Sequence, residues 1–368
     1  MAEVAPSRIC AVALRRCLDR DPQGHEAETH RALVRRIARL IGADYANDPA
    51  DDCAQRAECY FVPDRTLVAE EADTLGIRGE ADLFGGVVPY AFVATKTISH
   101  GLIGAAATAP DGWSHALGEA LGDAVLPGYS VFTRDDLRRA GRMLLGGGPV
   151  RVKAAHEAGG NGQCVVATER ELDDHVATLT EAMLQRYGAV VERDLIEATT
   201  FSIGQARIGV HEIAYFGMQR QTVDHRGQEV YGGSDLTVVR GRFDDLLAHA
   251  LPDAMHRAIE QVRHYDAEVM RAYPGVWATR RNYDVVAGLD RDGRHWSGVL
   301  EQSWRIGGAS AAEIAAIEAL LAEPSCTLVR ASSYETYTGE APDGAEIHYR
   351  GRDGQVGLLV KYSLVHPQ

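Results

Sequence analysis

The spacing of apolar and polar positions changes along the chain, and each change marks an element. Between His30 and Ile41 the apolar residues Leu33, Val34, Ile37, Leu40 and Ile41 recur three and four apart, which predicts a helix with one buried face. Residues 59–63, 66–68 and 85–89 are short apolar runs closed by Pro or Gly and are expected as strands. The small residues of 99–109 are expected to be helical. Thr133, followed by Arg134, Asp135 and Asp136, is a helix start with a capping hydroxyl; that helix should run to Leu145 and stop at Gly146-Gly147-Gly148-Pro149. Strands are expected at 150–154, 163–167, 190–192, 201–207 and 213–219. A helix after Thr168 should carry Leu172, Val176, Leu179 and Met183 on its apolar side. Residues 246–270 read as mainly helical. A hairpin of 281–286 and 297–301 follows across Asp290-Arg291-Asp292-Gly293, then a helix at 311–322 and a β-rich tail. This is an α/β (α+β) chain, divided at Pro127-Gly128 into an N-terminal α/β region, 1–126, and two further units, 127–215 and 216–368.

The chain has 368 residues, 45% of them hydrophobic and 24% charged, which excludes a disordered chain or a small disulfide scaffold. With 38 Lys and Arg against 52 Asp and Glu the balance is −14, so neither nucleic acid nor an anionic membrane face is an expected partner. No run reaches about 18 apolar residues, so no membrane span is expected. Six cysteines without a C-x-x-C pair suggest a reducing compartment, and the first residues lack the pattern of a secretory signal. The expected location is cytoplasmic. His25-Glu26-Ala27-Glu28-Thr29-His30 is not H-e-x-x-h, since its histidines are five apart and do not share a helix face. There is no nucleophile elbow and no Walker-type phosphate loop.

Two constellations carry chemistry. Lys153 ends the strand 150–154, and Gly159-Gly160-Asn161-Gly162 follows six residues later. A strand-end ammonium and a loop whose backbone N–H groups are open suit a phosphate, although an exposed strand lysine with an ordinary hairpin loop is the plainer reading of the residues alone. The second is Glu301-Gln302-Ser303-Trp304-Arg305-Ile306-Gly307-Gly308. Alternation puts Glu301, Ser303 and Arg305 on one side. Folding the hairpin about a four-residue turn sets Asp284 opposite Val299 and Asn282 opposite Glu301. Arg280, Asn282, Asp284, Glu301, Ser303 and Arg305 then share a surface. Two carboxylates brought together require a proton or cation between them, and Mg²⁺ fits; a salt-bridged strand pair facing solvent reads equally from the residues alone.

Taken in order, Pro127-Gly128-Tyr129-Ser130 with its helix, Gly148 to Lys153, the 159–162 loop, Val191-Glu192 and the Glu301 to Gly308 strand resemble the ATP-grasp superfamily. The resemblance covers about 127–315, with 1–126 in the place of a pre-grasp domain. The chain also looks like an uncharacterised bacterial family within that superfamily. The resemblance implies an ATP-grasp fold with ATP and Mg²⁺ as cofactors. It implies phosphate contacts by Lys153 and by Lys96, a lid of Gly159, Gly160 and Gly162, and an adenine hinge at Val191 and Glu192. It implies Mg²⁺ on Asp284 and Glu301, and Arg305 on the phosphate being transferred. The usual metal-strand asparagine is Ser303 here, and Asn282, on the same face in the expected register, is a candidate to supply the amide oxygen. Arg220, His225, Arg226 and Ser234, in a polar Gly-rich stretch, are candidates to grip substrate, as is Arg280.

The implied activity is an ATP- and Mg²⁺-dependent ligase that activates a carboxylate as an acyl phosphate for attack by an amine or thiol. Its partners would be small-molecule carboxylates and amines, and family members are often homodimers. A small-molecule kinase, or a non-catalytic nucleotide-binding regulator suggested by Ser303, are the alternatives.

Overall fold

A computed structural model describes residues 9–15, 24–51, 55, 57–155, 162–354 and 356–367. The chain starts with strands β1 (Ile9–Leu14), β2 (Asp44–Ala46) and β3 (Glu58–Pro63), parallel in the order β2-β1-β3. Helix α1 (His25–Leu40) covers them, burying Leu33, Val34 and Ile37 as its periodicity required. It begins five residues before His30, because the polar first turn carries no apolar mark. Short parallel strands β4 (Leu67–Val68) and β5 (Gly86–Val88) follow. The expected 99–109 helix is absent: only Lys96–Ser99 forms a tight turn. The main chain beyond it bonds outward instead, with Gly101 O accepting from Ser130 N at 2.9 Å.

Strands β6 (Gly128–Val131), β7 (Val150–Ala154), β8 (Gln163–Val166) and β9 (Ala189–Arg193) form an antiparallel sheet ordered β6-β9-β7-β8. The helix Arg134–Leu145 starts as expected, with Thr133 Oγ1 accepting from Asp136 N at 3.1 Å. The single helix expected after Thr168 is two, Glu169–Thr178 and Glu181–Tyr187. Leu179 is extended and Thr180 caps the second helix, which leaves Met183 exposed.

The remainder is one eight-stranded antiparallel sheet. Its strands are β10 (Ile196–Ile208), β11 (His211–Val223), β12 (Glu229–Arg240), β14 (Arg280–Leu289), β15 (His295–Ser303), β16 (Leu328–Thr336), β17 (Glu346–Asp353) and β18 (Gly357–Val365). Their order is β15-β14-β10-β11-β12-β16-β18-β17, and β13 (Trp277–Ala278) pairs with β5 instead. Residue 215, the expected boundary, falls inside β11, and the tail strands are part of this sheet. One sheet face packs on α1, β1, β3 and the helix Ser310–Ala322. The other packs on the helix Asp253–Ala272. Pro252, which lacks an N–H, separates that helix from a short helix at Phe243–Leu247, so 246–270 is not continuous.

Cys10 is disulfide-bonded while Cys59, Cys164 and Cys326 are free thiols, so the expectation drawn from unpaired cysteines does not extend to Cys10. Among the described residues, no helix is long and apolar enough to cross a membrane.

Candidate active site

The sheet β6-β9-β7-β8 holds a buried ionic cluster. Register places Gly128 opposite Glu192 and Lys153 opposite Val190, so Lys153 and Glu192 share a face. Lys153 Nζ lies 2.5 Å from Glu192 Oε1, and His100 Nε2 lies 3.1 Å from Glu192 Oε2. All three residues are buried. Burial alone would push the Glu192 carboxyl up; the Lys153 ammonium and the His100 hydrogen bond outweigh it and hold that carboxyl down at about 2. Gly128 makes the His100 contact sterically possible, since a Cβ there would lie 2.7 Å from the imidazole and 2.9 Å from Val191 O. Gly159 and Gly160 lie outside the described residues. Gly162 closes the loop, its carbonyl accepting from Ala154 N at 2.9 Å with φ 64°. Val191 departs from expectation. It sits in register with Tyr129 on one side and Val152 on the other, so its main chain belongs to the sheet and none of it is left to read a base. The chain leaves that sheet only after Arg193.

The acid pair lies on β14 and β15. The expected register is corrected here. Asp284 faces Glu301 and Asn282 faces Ser303, because a bulge inserts Leu300 between the Val285–Val299 pair and the Asp284–Glu301 pair. The face shared by Arg280, Asn282, Asp284, Glu301 and Ser303 survives, and the two carboxylates are directly opposed. Burial, and then the facing Glu301, push the Asp284 carboxyl up to about 6. Lys96 Nζ lies 3.0 Å from Glu301 Oε2. Opposed carboxylates, one of them already drawing in a cation, suit Mg²⁺ shared with phosphate oxygens. Among the described residues no three His, Cys, Asp or Glu side chains converge, so any cation here would rest on this pair and on neutral oxygens.

Residues 96–101 join the two clusters. Lys96 holds Glu301, and Ser99 Oγ donates to Leu300 O at 3.2 Å. His100 holds Glu192, and Ser130 Oγ of β6 donates to Thr97 O. Lys153 and Glu301 are thus tied to the two ends of one short segment. His100 was not legible as a site residue, because it stands in a stretch without periodicity or motif.

The other candidates separate. Arg280 is 1% exposed and spends its donors inside the protein. Its Nη2 lies 2.7 Å from Glu313 Oε1, and its Nη1 donates to Arg305 O at 2.6 Å and Ser303 O at 3.1 Å. It fixes the loop after β15 and does not face substrate, which corrects its expected role. Arg305 Nη1 donates to Ile306 O at 2.7 Å. Arg220 is paired with Asp235 at 2.7 Å, donates to Ser333 O at 2.6 Å and lies over the Tyr334 ring. His225 and Arg226 stand in the exposed turn between β11 and β12. Val223, which precedes that turn, is six residues along β11 from Gly217, in the Asp284 row, or about 20 Å. Ser234 is buried, and its Oγ lies 2.7 Å from the Tyr231 hydroxyl.

The fold matches solved structures over nearly the whole chain. N5-carboxyaminoimidazole synthetase from Staphylococcus aureus, complexed with ADP, has a TM-score of 0.56 at 13% identity, covering 99% of this chain and 94% of that one. Biotin carboxylase from Campylobacter jejuni has a TM-score of 0.53 at 13% identity, covering 98% and 87%. Phosphoribosylamine–glycine ligase from Thermotoga maritima has a TM-score of 0.52 at 13% identity, covering 98% and 92%. These are ATP-grasp enzymes, and the chain has the ATP-grasp fold. No curated protein matches its sequence. Residues 13–363 match the family described as "Protein of unknown function (DUF3182)", and the chain belongs to that family.

Proposed function

We propose that this protein is an ATP- and Mg²⁺-dependent ligase that activates a small-molecule carboxylate as an acyl phosphate for attack by an amine or thiol. The observation that carries the proposal is the 96–101 segment. It ties the buried Lys153–Glu192–His100 cluster to the Glu301–Asp284 pair, which supports a phosphate-binding ammonium and a metal-binding acid pair held by one segment.

In this reading a substrate carboxylate oxygen attacks the γ-phosphorus of ATP, and ADP leaves. The amine nitrogen or thiol sulfur then attacks the acyl carbon, phosphate departs with the C–O bond electrons, and the proton lost from nitrogen or sulfur passes to the departing phosphate or to water. The chain contributes position and charge. Lys153 and Lys96 bind phosphate oxygens, the former held in place by Glu192. Arg305 stabilises the transferring phosphoryl group. Asp284, Glu301, Ser303 and Asn282 are the residues that would hold Mg²⁺, which supplies charge neutralisation when bound. The main chain beyond Arg193 is where the adenine would be read, and the 159–162 loop would keep water from the acyl phosphate.

The test is incubation with ATP, Mg²⁺ and pooled amino and organic acids, following ADP and phosphate. A coupled product with free phosphate supports the ligase. Phosphate retained on the product makes it a kinase, and no ADP with any pool overturns both.

A further inference from the structure

Tyr215 has one hydroxyl hydrogen and two oxygen neighbours. Its Oη lies 2.6 Å from Glu313 Oε1 and 2.9 Å from Asn282 Oδ1, and all three residues are buried. Asn282 Oδ1 also accepts from Ser202 Oγ at 2.8 Å, and Asn282 Nδ2 donates to Asp284 Oδ1 at 3.1 Å. One hydrogen cannot serve both oxygens, so in this orientation a short O···O contact is left without one. Arg280 decides which. Its Nε lies 3.2 Å from both Glu313 oxygens and its Nη2 2.7 Å from Oε1, so both Glu313 oxygens face donors and accept. The Tyr215 hydrogen belongs to the shorter contact, with Glu313. Tyr215 then offers Asn282 only a lone pair, and a lone pair calls for the NH2 end of the amide.

The two ends of a carboxamide are nearly alike in size, so turning it over leaves the heavy-atom packing intact. Turned, its NH2 donates to Tyr215 Oη and Ser202 Oγ, and the Ser202 hydroxyl hydrogen, which had gone to the amide oxygen, turns away from Asn282. Its oxygen then faces Asp284, beside Glu301, where opposed oxygens need a cation between them. We propose that Arg280, Glu313 and Tyr215 form a hydrogen-bond lock that turns the Asn282 oxygen toward Asp284, making Asn282 a neutral ligand of the cation held there. Tyr215 and Glu313 are positioning residues: they act through Asn282. The proposal rests on the metal–nucleotide reading above.

The test is Mn²⁺ affinity of the full chain with a non-hydrolysable ATP analogue, read by electron paramagnetic resonance. Tyr215→Phe frees the amide to turn back, and Mn²⁺ affinity should fall about tenfold. Analogue affinity without metal should not change. In an Asn282→Asp background both ends of the group are oxygen and orientation has no meaning, so Tyr215→Phe should have no further effect on Mn²⁺. Equal losses in both backgrounds, or none in either, overturn the lock. Glu301→Gln separates the layers. If it abolishes Mn²⁺ binding while the cycle shows no coupling, the lock is wrong and the metal reading stands; if it leaves Mn²⁺ binding intact, both fall. A measurement on the unaltered chain guards against variants that fail to fold. With ¹⁵N-labelled asparagine, a strong Overhauser contact between the Asn282 NH2 and the Tyr215 ring is expected, and its absence overturns the lock.

Discussion

Lys96 Nζ lies 3.0 Å from Glu301 Oε2, so a buried cation of the chain already neutralises one of the two acids proposed to hold magnesium. In the proposed function that ammonium turns to phosphate when nucleotide and metal enter together, which a flexible four-carbon stem permits. Removing it has opposite effects on the two ligands. Lys96→Met should raise Mn²⁺ affinity in the absence of nucleotide, because the competing charge is gone. It should lower affinity for a non-hydrolysable ATP analogue about tenfold, or ~1.4 kcal/mol. Resonance titration and calorimetry measure the two. If neither changes, the ion pair is only structural.

Acid should weaken the fold through Glu192 and His348. Glu192 is held at about 2, against 4.5 for a free glutamate. The unfolded chain therefore binds more protons between those values, and the stability contributed above pH 4.5 is lost as pH falls toward 2. The shift corresponds to something on the order of 3 kcal/mol. Burial, and then the Arg36 guanidinium, lower the His348 imidazole to about 3 from 6.5. Its contribution has the same sign and begins to be lost below pH 6.5. Denaturant titrations from pH 7 to 3 should show falling stability. Glu192→Gln should flatten the slope below pH 4.5, and His348→Gln should flatten it between 6.5 and 4.5. A slope unchanged by either variant would assign the acid loss elsewhere.

Gly204 should resist substitution. An added Cβ would lie 2.3 Å from Tyr215 Cζ and Oη, on a ring fixed by Asn282 and Glu313. Gly204→Ala should cost about 1–3 kcal/mol by overpacking, read as a lower denaturation midpoint. A neutral result would mean that both the Tyr215 ring and the Arg281 carbonyl, 2.6 Å from the same Cβ, give way, and would weaken the lock as well.

What could be read in advance follows from how local each cause is. Lys153 and Glu301 stand out as candidates because strand alternation and a neighbouring glycine cluster are short-range marks. The Asp284–Glu301 opposition was missed because the Leu300 bulge has no sequence mark; ordinary counting gave the right face and the wrong partner. Val191 read as a hinge because its neighbours fit a pattern, but only the pairing of β9 with both β6 and β7 shows its main chain to be occupied. Arg220 and Arg280 looked available as lone cations. Their partners, Asp235 and Glu313, are 15 and 33 residues away, on a neighbouring strand and a helix whose packing no local pattern states. Tyr215 and Glu313 escaped for the same reason.

Lys153 allows a separation of fold from function. Its ammonium offsets the buried Glu192 carboxylate, so Lys153→Met leaves that charge with His100 as its remaining side-chain partner among the described residues. Breaking a buried pair from one side typically costs about 3–5 kcal/mol. If Lys153 serves only to stabilise the fold, removing the charge of its partner as well should restore everything. If it also binds phosphate, Lys153→Met combined with Glu192→Gln should recover most of the stability and none of the analogue affinity. Denaturant titration reads the first quantity and calorimetry the second. Full recovery of both in the double variant would assign Lys153 to the core alone and remove the phosphate lysine from the proposed mechanism.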